Sequence, residues 1–141
     1  MSDKRNLEYA EQLSRLISHE TVSSYGDTDL SKFYSFHELL KTEFPSLFSV
    51  CKYEDFSGSI LLCWKGTDPS LLPILLMNHH DVVEATGNWT HPAFSGAIED
   101  GKVWGRGTLD TKVTINGILF SADHLISQGF VPECDVYFAF S

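Results

Sequence analysis

Two short stretches of the 141-residue chain carry residue types that can do chemistry. In the first, Asn78-His79-His80-Asp81, a neutral His79 imidazole can bind a metal ion while Asp81 hydrogen-bonds the other ring nitrogen. Such a bond fixes the tautomer of the ring and raises its basicity. The second stretch centres on Asp110, whose two carboxylate oxygens can bridge two metal ions. We predict that the side chains of the two stretches converge at one edge of a sheet.

Each stretch also has an ordinary structural interpretation when it is taken by itself. A His-x-Asp tripeptide is common as a solvated histidine beside a capping aspartate, and His80 rivals His79 as a ligand. Asp110 fits a helix N-cap, a role that stabilises a helix by about 1 kcal/mol. Arg106 fits an anion clamp or a structural ion pair, and Lys112 fits a substrate-carboxylate ligand or a solvated side chain. Neither stretch alone therefore identifies a metal site.

Apolar residues at helical spacing predict three helices that position these groups. The first two span residues 3–18 and 30–43, and Pro45 closes the second. The clearest helix spans residues 110–128 and ends at Gly129, a residue type that favours the position just after a helix. Asp110 is thereby predicted to lie at a helix start.

Short apolar runs predict the strands. Runs over 48–53 and 59–64, joined by a Ser-Gly turn, predict a hairpin. Runs over 72–77 and 135–140 are apolar on both faces, a pattern typical of strands buried in a parallel sheet. The strand, loop, helix, strand order is a βαβ unit. We therefore predict an α/β fold with a mostly parallel sheet flanked by helices and an N-terminal hairpin.

Composition and charge narrow the functional classes. The chain has 43% hydrophobic residues, 21% charged residues and a net charge of −9, typical of one globular domain and poor for nucleic-acid binding. Its longest apolar run, residues 71–77, is far shorter than the roughly 20 residues that span a membrane. The start of the sequence lacks an apolar leader, which predicts a cytoplasmic protein. Cys51, Cys63 and Cys134 form no CxxC pair, so we predict reduced, buried thiols.

Three motifs follow one another in the second half of the chain: His79-His80-Asp81-Val82-Val83, then Trp89 to Gly96, then Asp100 to Lys112. Their order and spacing resemble the zinc-dependent aminoacylase, acetylornithine deacetylase and carboxypeptidase family, whose pattern is HxDVVP, W…PPFSG and GRGxxDxK. The sequence from Gly105 to Lys112 is most similar to the carboxypeptidase S branch of this family. The resemblance therefore rests on three ordered motifs and not on one tripeptide.

The resemblance implies a role for three residues and leaves the substrate-binding residues unknown. His79 corresponds to the histidine ligand of one zinc ion, and Asp110 to the carboxylate that bridges two zinc ions. Asp81 corresponds to the catalytic-site aspartate that supports the metal-binding histidine. The family also implies a cis peptide bond after Asp110.

Four positions depart from the family pattern. Glu84 replaces a proline, His91 and Ala93 flank the proline of the second motif, and Val113 replaces a glycine. None of them is a metal-ligand position. They weaken the assignment to a branch of the family, not the assignment to the family.

The resemblance implies that residues 1–141 form the N-terminal part of a zinc-hydrolase catalytic domain, without the lid domain and the C-terminal part. The family's glutamate pair, a general base and a zinc ligand, is expected just beyond Ser141. The expected activity is cleavage of amide bonds in N-acyl amino acids or short peptides, with two zinc ions. This chain alone is expected to be inactive, to bind zinc weakly or not at all, and to self-associate through bare apolar surface. The alternative is a non-catalytic remnant or binding module of the same fold.

Overall fold

The structure is a computed structural model, and it describes residues 3–141. In these residues, helices pack on a mixed β-sheet. The helices are α1 (Asp3–Ser18), α2 (Ser31–Glu43), α3 (Pro45–Val50) and α4 (Val113–Ser127). The strands are β1 (Lys52–Phe56), β2 (Ser59–Trp64), β3 (Ile74–Asn78), β4 (Ile98–Glu99), β5 (Lys102–Val103) and β6 (Val136–Phe140). Within these residues no helix has both the length and the apolar character needed to cross a membrane.

The three predicted helices are confirmed, with two differences. The third begins at Val113 and not at residue 110, and an additional helix, α3, follows α2. Pro45 ends α2 but also starts α3, because its fixed φ suits the first turn of a helix. The Asp123 carboxylate of α4 accepts a hydrogen bond from the Leu47 N–H at 2.8 Å and so satisfies a free amide at the start of α3. The predicted strand over 48–53 is therefore wrong in its first half, and β1 begins only at Lys52.

The main sheet has the order β1-β2-β6-β3, in which only the β3–β6 pair is parallel. The prediction of a mostly parallel sheet is wrong, because β1–β2 and β2–β6 are both antiparallel. The two-residue turn Ser57-Gly58, with positive φ at both residues, joins β1 and β2 as the predicted hairpin. A turn that short can join only antiparallel strands, and β2 carries this orientation to β6.

The apolar strand β3 lies at the sheet edge and not in the buried position that its sequence predicts. Ile74, Leu75 and Met77 are 49%, 54% and 69% exposed. The interior strand is β6, where Phe138 and Phe140 are each 1% exposed. Bare apolar surface therefore includes the β3 edge, and self-association through it stays a prediction.

The core lies between the main sheet and the helices, with α1, α2 and α4 each contributing fully buried residues. Its members are Leu16, Phe36, Leu40, Phe44, Leu47, Cys51, Ile60, Leu62, Trp64, Ile115, Leu119, Ala122, Phe138 and Phe140. All three cysteines are free thiols, as predicted, although Cys134 is only partly buried. Burial raises the pKa of the Cys51 thiol to about 12, so this cysteine stays protonated.

Gly96 allows the loop of the second motif to lie against α1. Its φ of +59° is in the left-handed region, and its carbonyl accepts a hydrogen bond from Ser14 Oγ at 2.6 Å. A Cβ at this position would lie 2.3 Å from the Ser14 carbonyl oxygen. The glycine of this motif therefore has a steric role, since any side chain would push the loop away from α1.

Gly96→Ala is expected to lower the free energy of unfolding by about 3 kcal/mol. About 1–2 kcal/mol comes from the left-handed conformation, and the collision with α1 adds a similar amount. Gly26→Ala is the matched control, because Gly26 has a φ of +84° and nothing within 4 Å of a built Cβ. Urea unfolding followed by circular dichroism measures both variants. Equal losses in the two variants would mean that the approach of Gly96 to α1 does not limit stability.

Candidate metal centre

The two chemistry-bearing stretches meet at the carboxyl end of β3. His79 and Asp81 directly follow this strand, and Asp110 lies in the turn of residues 108–112 that precedes α4. Asp110 has extended backbone angles of −126° and 87°, and α4 begins three residues later at Val113, so the N-cap interpretation is wrong. The peptide bond between Asp110 and Thr111 is cis, as the resemblance implied. Asn78 Nδ2 donates to Thr111 Oγ1 at 3.2 Å and ties the turn to the strand end.

The predicted convergence of side chains is confirmed, with His79 between two carboxylates. Its Nδ1 lies 3.0 Å from Asp81 Oδ1 and 3.2 Å from the Asp81 carbonyl oxygen. Its Nε2 lies 3.1 Å from Asp110 Oδ1. The His79 and Asp110 side chains are 45% and 90% exposed, so the pair opens to solvent.

Hydrogen bonds to Asp81 and Asp110 favour the protonated form of His79. Burial alone would lower the pKa of the ring, but hydrogen bonds to the Asp81 backbone and to the Asp110 and Asp81 carboxylates outweigh it and raise the pKa. A metal ion on Nε2 would replace the proton that faces Asp110, while the Nδ1 proton would stay on His79 and remain hydrogen-bonded to Asp81. Asp81 is thus placed to orient the His79 ring as a metal ligand.

His80 points into the core and not toward Asp110, so the rival to His79 has no access to the pair. Consecutive residues in extended chain point to opposite sides. Its ring is 2% exposed, stacks on Phe33 at 5.2 Å, and contacts the Gly58 carbonyl oxygen at 2.9 Å and His37 Nε2 at 3.1 Å. Burial, helped by the neighbouring His37, lowers the pKa of His80 to about 4. His80 is therefore neutral at physiological pH.

The lowered pKa of His80 predicts that the fold loses stability in acid. In the unfolded chain His80 takes up a proton near pH 6.5, whereas in the fold it does so only near pH 4. The contribution of His80 to the free energy of unfolding is therefore constant above pH 6.5 and falls by about 3 kcal/mol as the pH drops to 4. The reason is that in this range the unfolded chain binds a proton at His80 and the folded chain does not.

Urea unfolding between pH 7 and 4.5 checks the sign and the source of this effect. His80→Gln is expected to flatten the pH dependence, because glutamine keeps a donor for the Gly58 carbonyl but does not titrate in this range. His124→Gln, in α4, is expected to keep the full slope. Identical slopes for the wild-type chain and His80→Gln would refute the assignment to His80.

Lys112 is buried, so neither of its two sequence interpretations holds. It is 1% exposed, and its Nζ donates to the carbonyl oxygens of Leu16 at 2.9 Å and His19 at 2.7 Å. The ammonium also lies 4.6 Å from the centre of the Phe36 ring. Burial lowers the pKa of Lys112 to about 7. Because Lys112 lies two residues after Asp110, these hydrogen bonds connect the turn that carries Asp110 to the end of α1.

Arg106 forms no ion pair with a carboxylate in the described residues 3–141, so the structural ion pair is not observed. Its Nη2 donates to the Glu84 carbonyl oxygen at 3.3 Å, and the guanidinium lies 4.9 Å from the centre of the Trp89 ring. Its use as an anion clamp stays a prediction.

Ser23 also contacts the site, although nothing in the sequence around it indicates such a role. Its Oγ donates to Asp81 Oδ2 at 2.5 Å. The two residues are 58 positions apart, so no local pattern could reveal this contact.

A cleft of about 1080 Å³ opens over the pair. His79, Asp81 and Asp110 line it together with Trp89 and Arg106. Among the described residues no group of three or more His, Cys, Asp or Glu side chains is arranged to hold a metal ion. The chain thus offers two donors that face each other beside an open cleft.

These donors fit part of a zinc site. An imidazole nitrogen and a carboxylate oxygen are ordinary zinc ligands, and a carboxylate on the far ring nitrogen is the usual outer-shell partner. His79, Asp110 and Asp81 supply these three groups in the arrangement that the structure shows.

Known proteins resemble the chain in sequence. The profile of peptidase family M20/M25/M40 matches residues 75–141. "Probable carboxypeptidase S-like 2" of Dictyostelium discoideum is 42% identical over 96% of this chain and 27% of the relative. "N-fatty-acyl-amino acid synthase/hydrolase PM20D1" of Xenopus tropicalis is 36% identical over 97% of this chain and 28% of the relative. "Carboxypeptidase S" of Saccharomyces cerevisiae is 32% identical over 94% of this chain and 24% of the relative. The chain thus spans about a quarter of the length of these relatives.

Solved structures share the fold. Human carnosine dipeptidase 1 superposes with a TM-score of 0.77 at 17% identity, over 99% of this chain and 32% of that one. An M20 family metallo-carboxypeptidase from Sulfolobus solfataricus gives a TM-score of 0.73 at 20% identity, over all of this chain and 31% of that one. At these identities the likeness concerns the fold alone. In sequence, residues 75–141 of this chain match peptidase family M20/M25/M40, and nearly the whole chain matches a carboxypeptidase S-like relative.

Proposed function

We propose that His79 and Asp110 hold zinc in a metallohydrolase that cleaves amide bonds of N-acyl amino acids or short peptides. The observation that carries the proposal is the position of His79 between two carboxylates, with Nδ1 on Asp81 and Nε2 on Asp110. The names of the relatives, carboxypeptidase S and N-fatty-acyl-amino acid synthase/hydrolase, support the substrate class.

The residues of this chain would act by orientation. Asp81 accepts the hydrogen bond of the His79 Nδ1 proton, so the Nε2 lone pair would bind a metal ion once the proton that faces Asp110 is released. The Asp110 carboxylate is 90% exposed, so its oxygens are accessible for bridging two ions. Zinc bound there would activate a water molecule and polarise the scissile carbonyl group. The cleft beside the pair gives a substrate access to these residues.

We propose further that residues 1–141 form the N-terminal part of the catalytic domain and are inactive by themselves. The described residues provide two donors, whereas catalytic zinc sites usually carry three protein ligands. The 141-residue chain is therefore expected to bind zinc weakly and to hydrolyse no substrate at a useful rate. The cytoplasmic localisation stays a prediction from the sequence.

A chimera tests the proposed activity. This chain would replace the matching quarter of the Dictyostelium discoideum relative, and the parent, assayed on N-acyl amino acids and glycine-containing dipeptides, would serve as the reference. We expect the chimera to hydrolyse a substrate of the parent and to need zinc for it. We expect His79→Ala and Asp110→Ala chimeras to be inactive.

The matched control is His124→Ala, since His124 lies in α4 and outside the cleft. This variant is expected to keep the activity of the chimera. A folded chimera without activity would favour the alternative of a non-catalytic remnant or binding module. Full activity of the His79→Ala chimera would refute the metal-ligand role.

A further inference from the structure

Asp81 uses both of its carboxylate oxygens. Oδ1 accepts from His79 Nδ1 at 3.0 Å, and Oδ2 accepts from Ser23 Oγ at 2.5 Å. A hydrogen-bonded series therefore runs from Ser23 through Asp81 and His79 to Asp110. Because the Asp81 side chain is 38% exposed, water competes for its oxygens, and the Ser23 hydroxyl opposes rotation of the carboxylate.

The backbone holds Ser23 in this position. Residues 21–23 run beside residues 80–82 as a short parallel pair with a bridge between Val22 and Val82. The Ser23 N–H donates to the Val82 carbonyl oxygen at 3.0 Å, and the Val82 N–H donates to the Thr21 carbonyl oxygen at 3.0 Å. The place of the Ser23 hydroxyl is thus fixed by main-chain bonds to the same stretch that carries Asp81.

The segment of residues 19–23 also reaches the other half of the site. The His19 carbonyl oxygen accepts a hydrogen bond from Lys112, two residues after Asp110. One segment thus touches the stretch that carries His79 and the turn that carries Asp110. A displacement of this segment would change the separation of the two proposed ligands.

We infer that Ser23 is a positioning residue for the proposed zinc site, acting on His79 through Asp81. The inference rests on the proposed function and adds a residue from the first quarter of the chain to it. Outer-shell partners of metal-binding histidines typically change metal affinity by 10–100-fold. Ser23 is one step further from the metal, so we expect an effect of about tenfold, at the lower end of that range.

Zinc titration of the 141-residue chain, followed by the NMR signals of the His79 imidazole, tests this role. Ser23→Ala is expected to weaken zinc binding about tenfold. Ser23→Thr keeps a hydroxyl and is expected to restore affinity. Ser24→Ala makes the same chemical change at the next residue, which is exposed, and is expected to leave affinity unchanged.

Urea unfolding of each variant separates positioning from a general loss of stability, because a purely structural role would lower stability without lowering zinc affinity. Wild-type affinity in Ser23→Ala, an equal loss in Ser24→Ala, or no rescue by Ser23→Thr would overturn the inference.

The zinc-free chain gives an independent readout. Ser23→Ala is expected to shift the His79 Nδ1 resonance, because the Asp81 carboxylate that accepts its hydrogen bond loses its fixed orientation. Ser24→Ala is expected to leave the resonance unchanged. An unchanged resonance in Ser23→Ala would refute the role of Ser23. If the wild-type chain binds no zinc while this shift occurs, the proposed metal site fails and the positioning of His79 by Ser23 stands.

Discussion

Replacing His79 or Asp110 with alanine is expected to abolish detectable zinc binding by the 141-residue chain, and replacing Asp81 is expected only to weaken it. His79 and Asp110 present the donor atoms to each other at 3.1 Å, so each variant leaves a single protein ligand. Asp81 contacts the far nitrogen of the ring, and losing such a partner typically costs about 10–100-fold in affinity. Competition with a chromophoric zinc chelator measures all three affinities.

Asp100→Ala and His124→Ala are the matched controls for these variants. Asp100 is exposed and His124 belongs to α4, and neither lines the cleft. Both variants are expected to bind zinc as the wild-type chain does. If Asp81→Ala lost as much affinity as Asp110→Ala, Asp81 would be a direct ligand, and the orienting role would be wrong.

Lys112→Met is expected to lower the free energy of unfolding by about 3 kcal/mol. Methionine keeps the apolar stem but removes the donor to the buried Leu16 and His19 carbonyl oxygens. Each buried acceptor left without a partner costs about 1–3 kcal/mol. Chemical denaturation measures the loss directly.

Lys52→Met is the matched control for the lysine substitution. The Lys52 side chain is 73% exposed and pairs with Glu54 at the surface, where water and salt screen the interaction and leave it a small contribution to stability. We expect this variant to stay near wild-type stability. Equal stability of Lys112→Met and Lys52→Met would show that the buried ammonium contributes nothing.

The sequence predicted those parts of the molecule that depend on local periodicity. The ends of α1 agree with the prediction, because one apolar face and the following polar loop define them. The meeting of His79 and Asp110 was also predictable, since β3 and α4 belong to one βαβ unit whose loops meet at one sheet edge.

Features that depend on distant contacts could not be predicted. An apolar run has the same pattern in an interior strand and in the exposed edge strand β3, so neighbours alone decide its burial. Lys112 looks solvated in sequence because its carbonyl partners lie 93 and 96 positions away. Ser23 carries no signal at all until the chain brings residues 21–23 beside residues 80–82.

Zinc titration followed through the imidazole signals of all six histidines tests whether His79 binds the metal ion through Nε2. We predict that the His79 Nε2 signal moves and saturates while the Nδ1 proton stays on the ring, hydrogen-bonded to Asp81. The signals of His37 and His80, buried in the core, are expected to stay in place. A titration that moved the His91 or His124 signal and left the His79 signal unchanged would contradict the assignment of His79 as a zinc ligand.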